Sequence, residues 1–515
     1  AARHPDSRLL KDYAYLRFRD DGSPVAGTFP GWPELVAEVT VMDPCCGSGH
    51  FLVAAFEMLR RMRMEEEGLG EAEAADAVIR DNLFGLEIDP RCTQIAAFAL
   101  ALAAWKAGGY RPLPLPNIAC SGIPVVGQLD EWKKLANGDV ALEWTLERLY
   151  YLFRDAPTLG SLINPADVPL KDRMFAPDYS QVAPLLQKML SQGRNVGDPG
   201  AAVFGSAVEG IARAAELLAK RYVLITTNVP YLQRGKQDDA LKEFSEHYYP
   251  DAKADLSTVF VERIVAFTAG GGTCSLVTPQ NWLSLVSYTS MRKRLLSREM
   301  WQLVCWLDAG AFETITGEVV KPVLLISCNV APATEHELLG IDVSEYQSAR
   351  EKSLALREKP LMTANQAGQL HNPDARIALD VHEGMQLLSR YADSFAGIQS
   401  GDYPRFGRCF WEISWPMPGW NYQQSTVEVT VPFGGREHLL KWEDGKGDLI
   451  ESPSAYVRGL AAWDRKGIAV SQMGRLPCTL YTGELYDNNC SAIVPKNPSH
   501  LSLIHISEPT RQAEI

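Results

Sequence analysis

The sequence predicts an α/β fold with a doubly wound, mostly parallel sheet. Three short apolar runs support this prediction, at residues 39–42, 83–87 and 222–227, and each one ends in polar or turn-forming residues. The first two are followed by helical patterns, over residues 50–63 and 95–105. Strands that alternate with helices in this way are typical of parallel sheets with helices on both faces.

The first run leads through Asp43-Pro44-Cys45-Cys46-Gly47-Ser48-Gly49 into a helix. Apolar residues then recur at i, i+3 and i+4, as on the buried face of a helix packed on a strand. A strand, a glycine turn and a helix together aim backbone N–H groups and a helix N-terminus at an anionic ligand group. Taken alone, such a turn is equally compatible with a tight turn that binds nothing.

The second run ends in Glu87-Ile88-Asp89-Pro90. An acid at the end of the second strand of a nucleotide-binding fold holds the hydroxyls of a ribose, and Glu87 is the candidate for this role. Asp89 stands directly before a proline, so we expect it to be the N-cap of the following helix.

The third run passes into Asn228-Val229-Pro230-Tyr231. By itself this stretch could be a turn that ends a strand, with a tyrosine in the core. Together with the two earlier stretches, it resembles the DNA adenine-N6 methyltransferases that use S-adenosylmethionine (SAM). That family usually has Asn-Pro-Pro-Tyr or Asn-Pro-Pro-Phe here. Val229 replaces the first proline, but it still supplies the backbone carbonyl that the position requires.

The resemblance implies a Rossmann-like fold of the class I SAM-dependent methyltransferases and a SAM site at the ends of the strands. Asp43 would accept from the SAM ammonium, the two glycines would admit its methionine half, Glu87 would hold the ribose, and Ile88 would flank the adenine. Ser121 stands where the family usually offers a polar side chain to the adenine. The implied cofactor residues are Asp43, Pro44, Gly47, Gly49, Glu87, Ile88 and Ser121.

The same resemblance implies Asn228, Pro230 and Tyr231 as catalytic residues. The side-chain carbonyl of Asn228 and the backbone carbonyl of Val229 would hold the two hydrogens of the target amine. That would leave the nitrogen lone pair facing the methyl donor, so that positioning is the main catalytic device. Tyr231 would stack on an adenine flipped out of the duplex. Phe312 would lie near the same base. A place in the hydrophobic core is an equally good interpretation of this residue.

The pattern of the chain predicts several regions. We expect residues 1–38 to wrap the sheet edge, 39–330 to form the catalytic domain with a helical insertion at 125–220, and 331–395 to be a polar connector. The polar segment 233–239 is expected to be mobile and to close over a substrate. Residues 396–500 are rich in Trp, Tyr, Gly and Pro.

This last region resembles the start of the target-recognition region of large single-chain adenine methyltransferases of restriction-modification systems. Together with the glycine turn and with Met473-Gly474-Arg475-Leu476-Pro477, it resembles the BREX-type, PglX-like phage-defence methyltransferases. Residues 501–515 resemble a translated sequencing adapter and are excluded from the predicted fold. The first residue is Ala1, and we therefore expect a fragment of a longer protein. The implied partners are double-stranded DNA and other proteins of a phage-defence system.

The composition is that of an ordinary globular protein, with 46% hydrophobic and 22% charged residues. The longest apolar helical pattern is too short to span a bilayer. Ten cysteines occur without a Cys-x-x-Cys pair, which predicts neither a zinc site nor a disulfide framework and favours the cytoplasm. The net charge of −13 argues against strong non-specific DNA binding, but binding depends on local contacts between Lys or Arg and phosphates.

Two alternatives remain open at this stage. One is a protein glutamine methyltransferase, since those enzymes use the same Asn-Pro-Pro-Tyr pattern on a side-chain amide. Such an enzyme would not require the insertion or the aromatic C-terminal region. The other alternative is a catalytically inactive subunit that binds SAM or DNA.

Overall fold

The structure is a computed structural model that describes residues 1, 3–136, 138–167, 199–312, 320–379, 388–414, 416–472 and 476–500. The chain divides into two compact units, Ala1–Val381 and His382–Ile515. The three sequence motifs around Asp43, Glu87 and Asn228 all lie in the first unit.

Nine strands of the described residues form one sheet in the first unit, in the order β3-β2-β1-β4-β5-β7-β6-β8-β9. They are β1 (Val41–Asp43), β2 (Leu83–Glu87), β3 (Asn117–Cys120), β4 (Tyr222–Asn228), β5 (Thr268–Pro279), β6 (Met300–Trp306), β7 (Pro322–Cys328), β8 (Glu337–Asp342) and β9 (Met362–Asn365). Strands β1 to β5 are parallel to one another, and β7 is antiparallel to both β5 and β6. The predicted Rossmann-like α/β fold is therefore confirmed.

Helices cover both faces of this sheet. They are α1 (His50–Glu67), α2 (Glu71–Ala77), α3 (Pro90–Gly108), α4 (Leu129–Lys134), α5 (Val140–Leu152), α6 (Ala156–Leu159), α7 (Pro199–Ala219), α8 (Asp239–Tyr248), α9 (Leu256–Phe267), α10 (Thr289–Arg298), α11 (Ala349–Glu358) and α12 (Gln366–Gln369). Neighbouring strand residues point to opposite faces. Val41 accordingly packs in the core under α1 and α3, and Met42 packs in the larger core with α5, α7 and α9.

The helix after β2 begins as the sequence predicts. The side chain of Asp89 accepts a hydrogen bond from the N–H of Arg91 at 2.8 Å, and Pro90 occupies the first helical position. Proline suits that position because its missing N–H has no intrahelical partner to lose. The side chain of Asp89 therefore caps α3.

The predicted connector at 331–395 is wrong for residues 337–365. Strand β8 pairs with β6 in parallel, with Leu303 opposite Leu339, and β9 pairs with β8 in antiparallel orientation. This pairing buries the apolar side chains of β8, including Leu338 and Ile341. The expectation followed the polar residues that flank this short strand and overlooked the strand itself.

Residues at the N-terminus contact the sheet at β5. The indole Nε1 of Trp32 donates a hydrogen bond to Oγ1 of Thr273 at 2.9 Å. Farther from the sheet, the guanidinium of Arg17 donates to the carbonyls of Leu356 and Lys359 at the end of α11.

The second unit contains two four-stranded sheets among its described residues. One has the order β10-β17-β14-β15 and the other β11-β13-β12-β16. These strands are β10 (Ala392–Ala396), β11 (Gly407–Cys409), β12 (Trp420–Gln424), β13 (His438–Lys441), β14 (Gly467–Ser471), β15 (Cys478–Tyr481), β16 (Leu485–Tyr486) and β17 (Cys490–Pro495). The short helices α13 (Tyr403–Phe406) and α14 (Asp448–Glu451) accompany them. Residues 473–475 and 501–515, to which two of our predictions refer, lie outside the described residues.

Among the described residues, every helix is too short or too polar to cross a lipid bilayer. All ten cysteines are free thiols.

Candidate active site

Three polar side chains mark the same edge of the sheet. Asp43, Glu87 and Asn228 are the last residues of β1, β2 and β4, which are neighbouring parallel strands. The strand order reverses between β1 and β4, and ligands of open α/β sheets bind at such a reversal, outside the carboxyl ends of the strands. The fold thus brings the predicted cofactor and catalytic residues to one crevice.

The turn after β1 is open at one glycine and closely packed at the other. Gly47 and Gly49 have φ values of 51° and 86°, in the left-handed region that favours glycine. A Cβ on Gly49 would lie 3.0 Å from the Cα of Ala96, so this glycine allows α1 to approach α3. A Cβ on Gly47 would meet no described atom within 4 Å. The backbone of Gly47 therefore faces open space at the crevice.

The carboxylate of Glu87 is held by three backbone N–H groups. Its Oε2 accepts from Gly47 at 2.8 Å, and its Oε1 accepts from Ile88 at 2.9 Å and from Asp89 at 3.1 Å. Each carboxylate oxygen can accept more than one hydrogen bond, so this arrangement still leaves capacity for the hydroxyls of a ligand. The side chain also ties the end of β2 to the glycine turn.

The carboxyl group of Asp43 lies beneath the same turn, with only 1% of the residue exposed. Its Oδ1 accepts a hydrogen bond from the N–H of Cys45 at 3.1 Å. Burial raises the pKa of Asp43 to about 7, far above the usual range of an aspartate. Burial also raises the pKa of the Cys46 thiol, which therefore stays neutral and provides no nucleophile.

Ile88 and Ser121, both predicted to contact the adenine, differ in their exposure. Ile88 is 40% exposed at the crevice. Ser121 is fully buried, and its hydroxyl lies 3.2 Å from that of Ser161 in the helical insertion. Of these two side chains, Ile88 presents an apolar surface to a ligand, and Ser121 connects β3 to the insertion.

The end of β4 presents the predicted catalytic stretch. Asn228 and Pro230 are exposed, Val229 is buried, and Tyr231 is half-buried. The hydroxyl of Tyr231 donates a hydrogen bond to Oδ1 of Asn228 at 3.1 Å. Burial and the nearby carboxylate of Asp255 raise the pKa of Tyr231, which keeps the hydroxyl protonated as a donor. The aromatic ring and the exposed amide form one surface.

The segment 233–239, expected to be mobile, is bonded to the chain before α9. The N–H of Arg234 donates to the carbonyl of Ala254 at 3.0 Å, and that of Leu256 donates to Leu232 at 2.9 Å. The buried side chain of Gln237 donates to the carbonyl of Leu232 at 3.0 Å. The polar composition of this segment did not indicate that it would pair with residues 254–256.

Phe312 is not brought beside Asn228 by the sheet. It is half-buried in the connection after β6, and strands β5 and β7 lie between β6 and β4. Residues 313–319, which follow it, lie outside the described residues.

Part of the helical insertion borders the crevice, although its sequence shows no chemical motif. Besides the contact of Ser161 with Ser121, Oγ1 of Thr158 donates to Oδ2 of Asp238 at 3.2 Å. Arg263 of α9, which is fully buried, donates to the carbonyls of Ser161 and Ile163 at 3.2 and 2.8 Å. The available signal was Arg263 beside Glu262, two charged residues within the mostly apolar sequence of α9.

The donor set fits SAM better than it fits a metal ion. Two carboxylates, an open glycine backbone and an exposed apolar side chain could receive the ammonium, ribose, methionine and adenine parts of that molecule. Among the described residues, no group of three or more His, Cys, Asp or Glu side chains is placed to hold a metal ion.

Two family models match the first unit. The model described as "MmeI, DNA-methyltransferase domain" matches residues 32–110, and "Eco57I restriction-modification methylase" matches residues 81–309. The first matched range includes the glycine turn and Glu87, and the second includes Glu87 and β4.

Curated relatives include adenine-specific methyltransferases from two bacteria. PglX of Lacticaseibacillus casei (strain Zhang) is 30% identical over 294 residues, which cover 56% of this chain and 23% of the relative. BrxX of Escherichia coli O9:H4 (strain HS) is 29% identical over 512 residues, which cover 91% of this chain and 41% of the relative. The chain thus spans less than half the length of these relatives.

Similar solved structures include two restriction-modification enzymes in complex with DNA. The Type ISP enzyme LlaBIII has a TM-score of 0.49 at 11% identity, covering 96% of this chain and 33% of that one. The Type IIL enzyme MmeI has a TM-score of 0.49 at 15% identity, covering 90% and 57%.

Proposed function

We propose that the chain is an adenine methylase of the restriction-modification type, like PglX and BrxX, to which it is similar. It transfers a methyl group from SAM to the exocyclic amino group of adenine in double-stranded DNA. The observation that carries the proposal is the exposed Asn228 amide, bonded to Tyr231 at the strand end next to the glycine turn.

The cofactor residues divide the parts of SAM among them. Gly47 and Gly49 admit the methionine half, and Asp43 accepts from its ammonium. Glu87 accepts from the ribose hydroxyls, and the exposed face of Ile88 flanks the adenine. Pro44 shapes the turn that carries these groups, and Ser121 supports the wall behind Ile88. When bound, SAM supplies a methyl group made electrophilic by its sulfonium.

The catalytic residues act by orientation. Oδ1 of Asn228 and the backbone carbonyl of Val229 accept the two hydrogens of the adenine amine and so turn its lone pair outward. Pro230 fixes the backbone that directly follows these two acceptors, because its ring restricts φ. Tyr231 stacks on the flipped base and, through its hydroxyl, holds the Asn228 amide in place. This arrangement requires no strong general base, because the amine becomes acidic once it is methylated.

The second unit is proposed to be the start of a target-recognition region. Phe312, which the sheet does not place beside Asn228, is proposed to reach the flipped base through the connection after β6. Phage defence in the bacterial cytoplasm, together with other proteins of such a system, is the proposed setting. It rests on the likeness to PglX and BrxX.

Methyl transfer from labelled SAM to duplex DNA tests the proposal directly, with a glutamine-containing protein substrate assayed in parallel. We expect label in the adenine of the DNA, identified by nucleoside analysis after digestion. Label only in protein would replace the proposal by the glutamine methyltransferase alternative. Binding of SAM without any transfer, by a longer protein as well as by this chain, would identify an inactive subunit.

A further inference from the structure

A short part of the insertion, residues 155–163, contacts both halves of the candidate active site. It contains α6 and the single turn of 3₁₀ helix Gly160–Leu162. At one end Thr158 donates to Asp238, just beyond the catalytic stretch of β4. At the other end, Gly160 and Ser161 lie against Ile88 and Ser121, which follow β2 and β3.

Position 160 requires glycine for two reasons, its backbone conformation and the closeness of the Ile88 side chain. Its φ of 49° and ψ of −124° fall in a region that side chains rarely adopt. A Cβ at this position would lie 3.1 Å from Cδ1 and 3.2 Å from Cγ1 of Ile88. A second glycine, Gly122, approaches Ile88 from β3, where a Cβ would lie 2.7 Å from Cγ1. Two glycines from different elements therefore leave the space that the Ile88 side chain occupies.

Ile88 lies between these glycines without being buried, since it remains 40% exposed. An exposed apolar surface whose position is set in advance suits a flat, apolar ring, because little conformational entropy is lost on binding. The purine of an adenosine ligand has that chemistry.

Arg263 holds the segment from beneath. Its guanidinium donates to the carbonyls of Ser161, Ile163 and Leu218, and its Cζ lies 3.8 Å from the centre of the Phe267 ring. Burial lowers the pKa of Arg263 only to about 10, so the group stays charged at neutral pH. The segment is thus bonded to a core helix as well as to the two halves of the crevice.

We propose that residues 155–163 are part of the active site. Gly160 positions Ile88 as the platform for the adenine ring of SAM, and Thr158 positions the chain at Asp238, seven residues after Tyr231. Both are positioning residues, and the inference rests on the proposed function in that SAM is the ligand.

Calorimetric binding to this chain tests the first part, with SAM and with 5′-methylthioadenosine, which keeps the adenosine half and lacks the amino-acid half. We expect Gly160→Ala to weaken both ligands by about tenfold, as a displaced platform would. Gly138→Ala is the matched control: Gly138 lies in the same insertion with a φ of 87°, and a Cβ there would meet no described atom within 4 Å. The control should bind both ligands as the parent does.

A double-mutant cycle separates this role from general destabilisation. In an Ile88→Ala background, Gly160→Ala has no side chain to displace and should cause little further loss of affinity. Equal losses in both backgrounds, or an unchanged affinity of Gly160→Ala, would overturn the inference and leave the proposed function intact. A parent chain that binds neither ligand would overturn both. If Gly160→Ala does not fold, Ser161→Ala should weaken both ligands by about threefold through the lost bond to Ser121.

Amide hydrogen exchange tests the second part without an activity assay. Thr158→Val removes the hydroxyl that donates to Asp238 but keeps the shape of the side chain. We expect faster exchange in residues 233–238. Exchange at the parent rate would show that Thr158 does not position this chain segment.

Discussion

The backbone N–H of Gly47 donates a hydrogen bond to Oε2 of Glu87 at 2.8 Å, joining two residues that are forty positions apart. One belongs to the glycine turn after β1, and the other ends the neighbouring strand β2. The two proposed cofactor elements are therefore coupled before any ligand binds. Loss of the Glu87 carboxylate removes a ligand contact and also frees the backbone of the turn.

We expect Glu87→Ala to weaken SAM binding by about 1.5–3 kcal/mol, the range for hydrogen bonds that involve a charged group. Glu87→Gln should fall between this variant and the parent, because its amide keeps one acceptor but presents an NH₂ group in place of the other. Calorimetry on the folded proteins gives these affinities.

Asp89→Asn is the control for these two variants. Asparagine keeps the N-cap of α3, and Asp89 makes no contact with the crevice beyond donating its N–H to Glu87. The Asp89→Asn variant should bind SAM with the affinity of the parent. An equal loss in Asp89→Asn and Glu87→Ala would mean that the general negative charge of this edge, and not the Glu87 contact, supports binding.

The buried carboxyl group of Asp43 makes stability depend on pH. Its pKa is about 7 in the folded chain and about 3.9 in an unfolded one, so the folded state holds the proton more tightly. The contribution to stability is complete below about pH 4 and is lost as the pH rises through 7. The free energy of unfolding should therefore fall between pH 5 and pH 7.

Denaturant unfolding at a series of pH values measures this slope, and Asp43→Asn should flatten it. Part of the slope should remain in that variant, because burial also raises the pKa of Glu299 to about 7. The variant with both Asp43→Asn and Glu299→Gln should show the smallest dependence. Identical slopes in the parent and in Asp43→Asn would show that Asp43 is charged in the folded chain throughout this pH range.

The parts of the site that the sequence could predict are those set by local chemistry. A strand that ends at Asp43 and a glycine turn after it follow from residues adjacent in the chain, as does the capping of α3 by Asp89. The same holds for β4 and its exposed Asn228. In each case the period of apolar residues and a turn former mark the position without knowledge of distant contacts.

The parts that could not be predicted depend on contacts between distant residues. Ser121 has the hydroxyl that a ligand contact would need, but its burial depends on Ser161 in the insertion. Strand β8 becomes part of the sheet only because β6 offers an unpaired edge. Arg263 lies in the core only because three carbonyls from two other segments converge on it. Sequence periodicity carries no information on such convergence.

Replacement of Arg263 should destabilise the first unit strongly. Arg263→Met keeps the apolar stem but leaves the three buried carbonyls without this donor, and we expect a loss of at least about 2 kcal/mol in the free energy of unfolding. Arg294→Met is a control on the neighbouring helix α10, because Arg294 is partly exposed and pairs with Asp251 and Glu262. It should cost about 1 kcal/mol or less.

Chemical denaturation of both variants gives the comparison. Equal stabilities of the two variants would show that other groups, or water, satisfy the carbonyls of Ser161, Ile163 and Leu218 when the guanidinium is removed. The role of Arg263 in holding the insertion would then be dispensable.

Asn228 and Tyr231 should fail in different ways, although their side chains are bonded to each other. Asn228→Ala removes the acceptor that orients the adenine amine and leaves the glycine turn and the tyrosine ring in place. It should retain SAM binding and lose nearly all methyl transfer. Tyr231→Phe loses only the hydroxyl that steadies the amide and should keep much of the activity. Tyr231→Ala also loses base stacking, worth roughly 1–3 kcal/mol.

Single-turnover transfer from labelled SAM to duplex DNA measures these differences, in this chain and in a longer protein that contains it. A SAM-binding measurement on each variant runs beside it. Tyr231→Ala should regain rate at high DNA concentration, because the lost stacking weakens capture of the flipped base. Asn228→Ala should not regain rate, because its defect lies in the orientation of the captured amine. If both alanine variants methylate at the parent rate, the end of β4 is a structural turn and catalysis must be assigned to other residues.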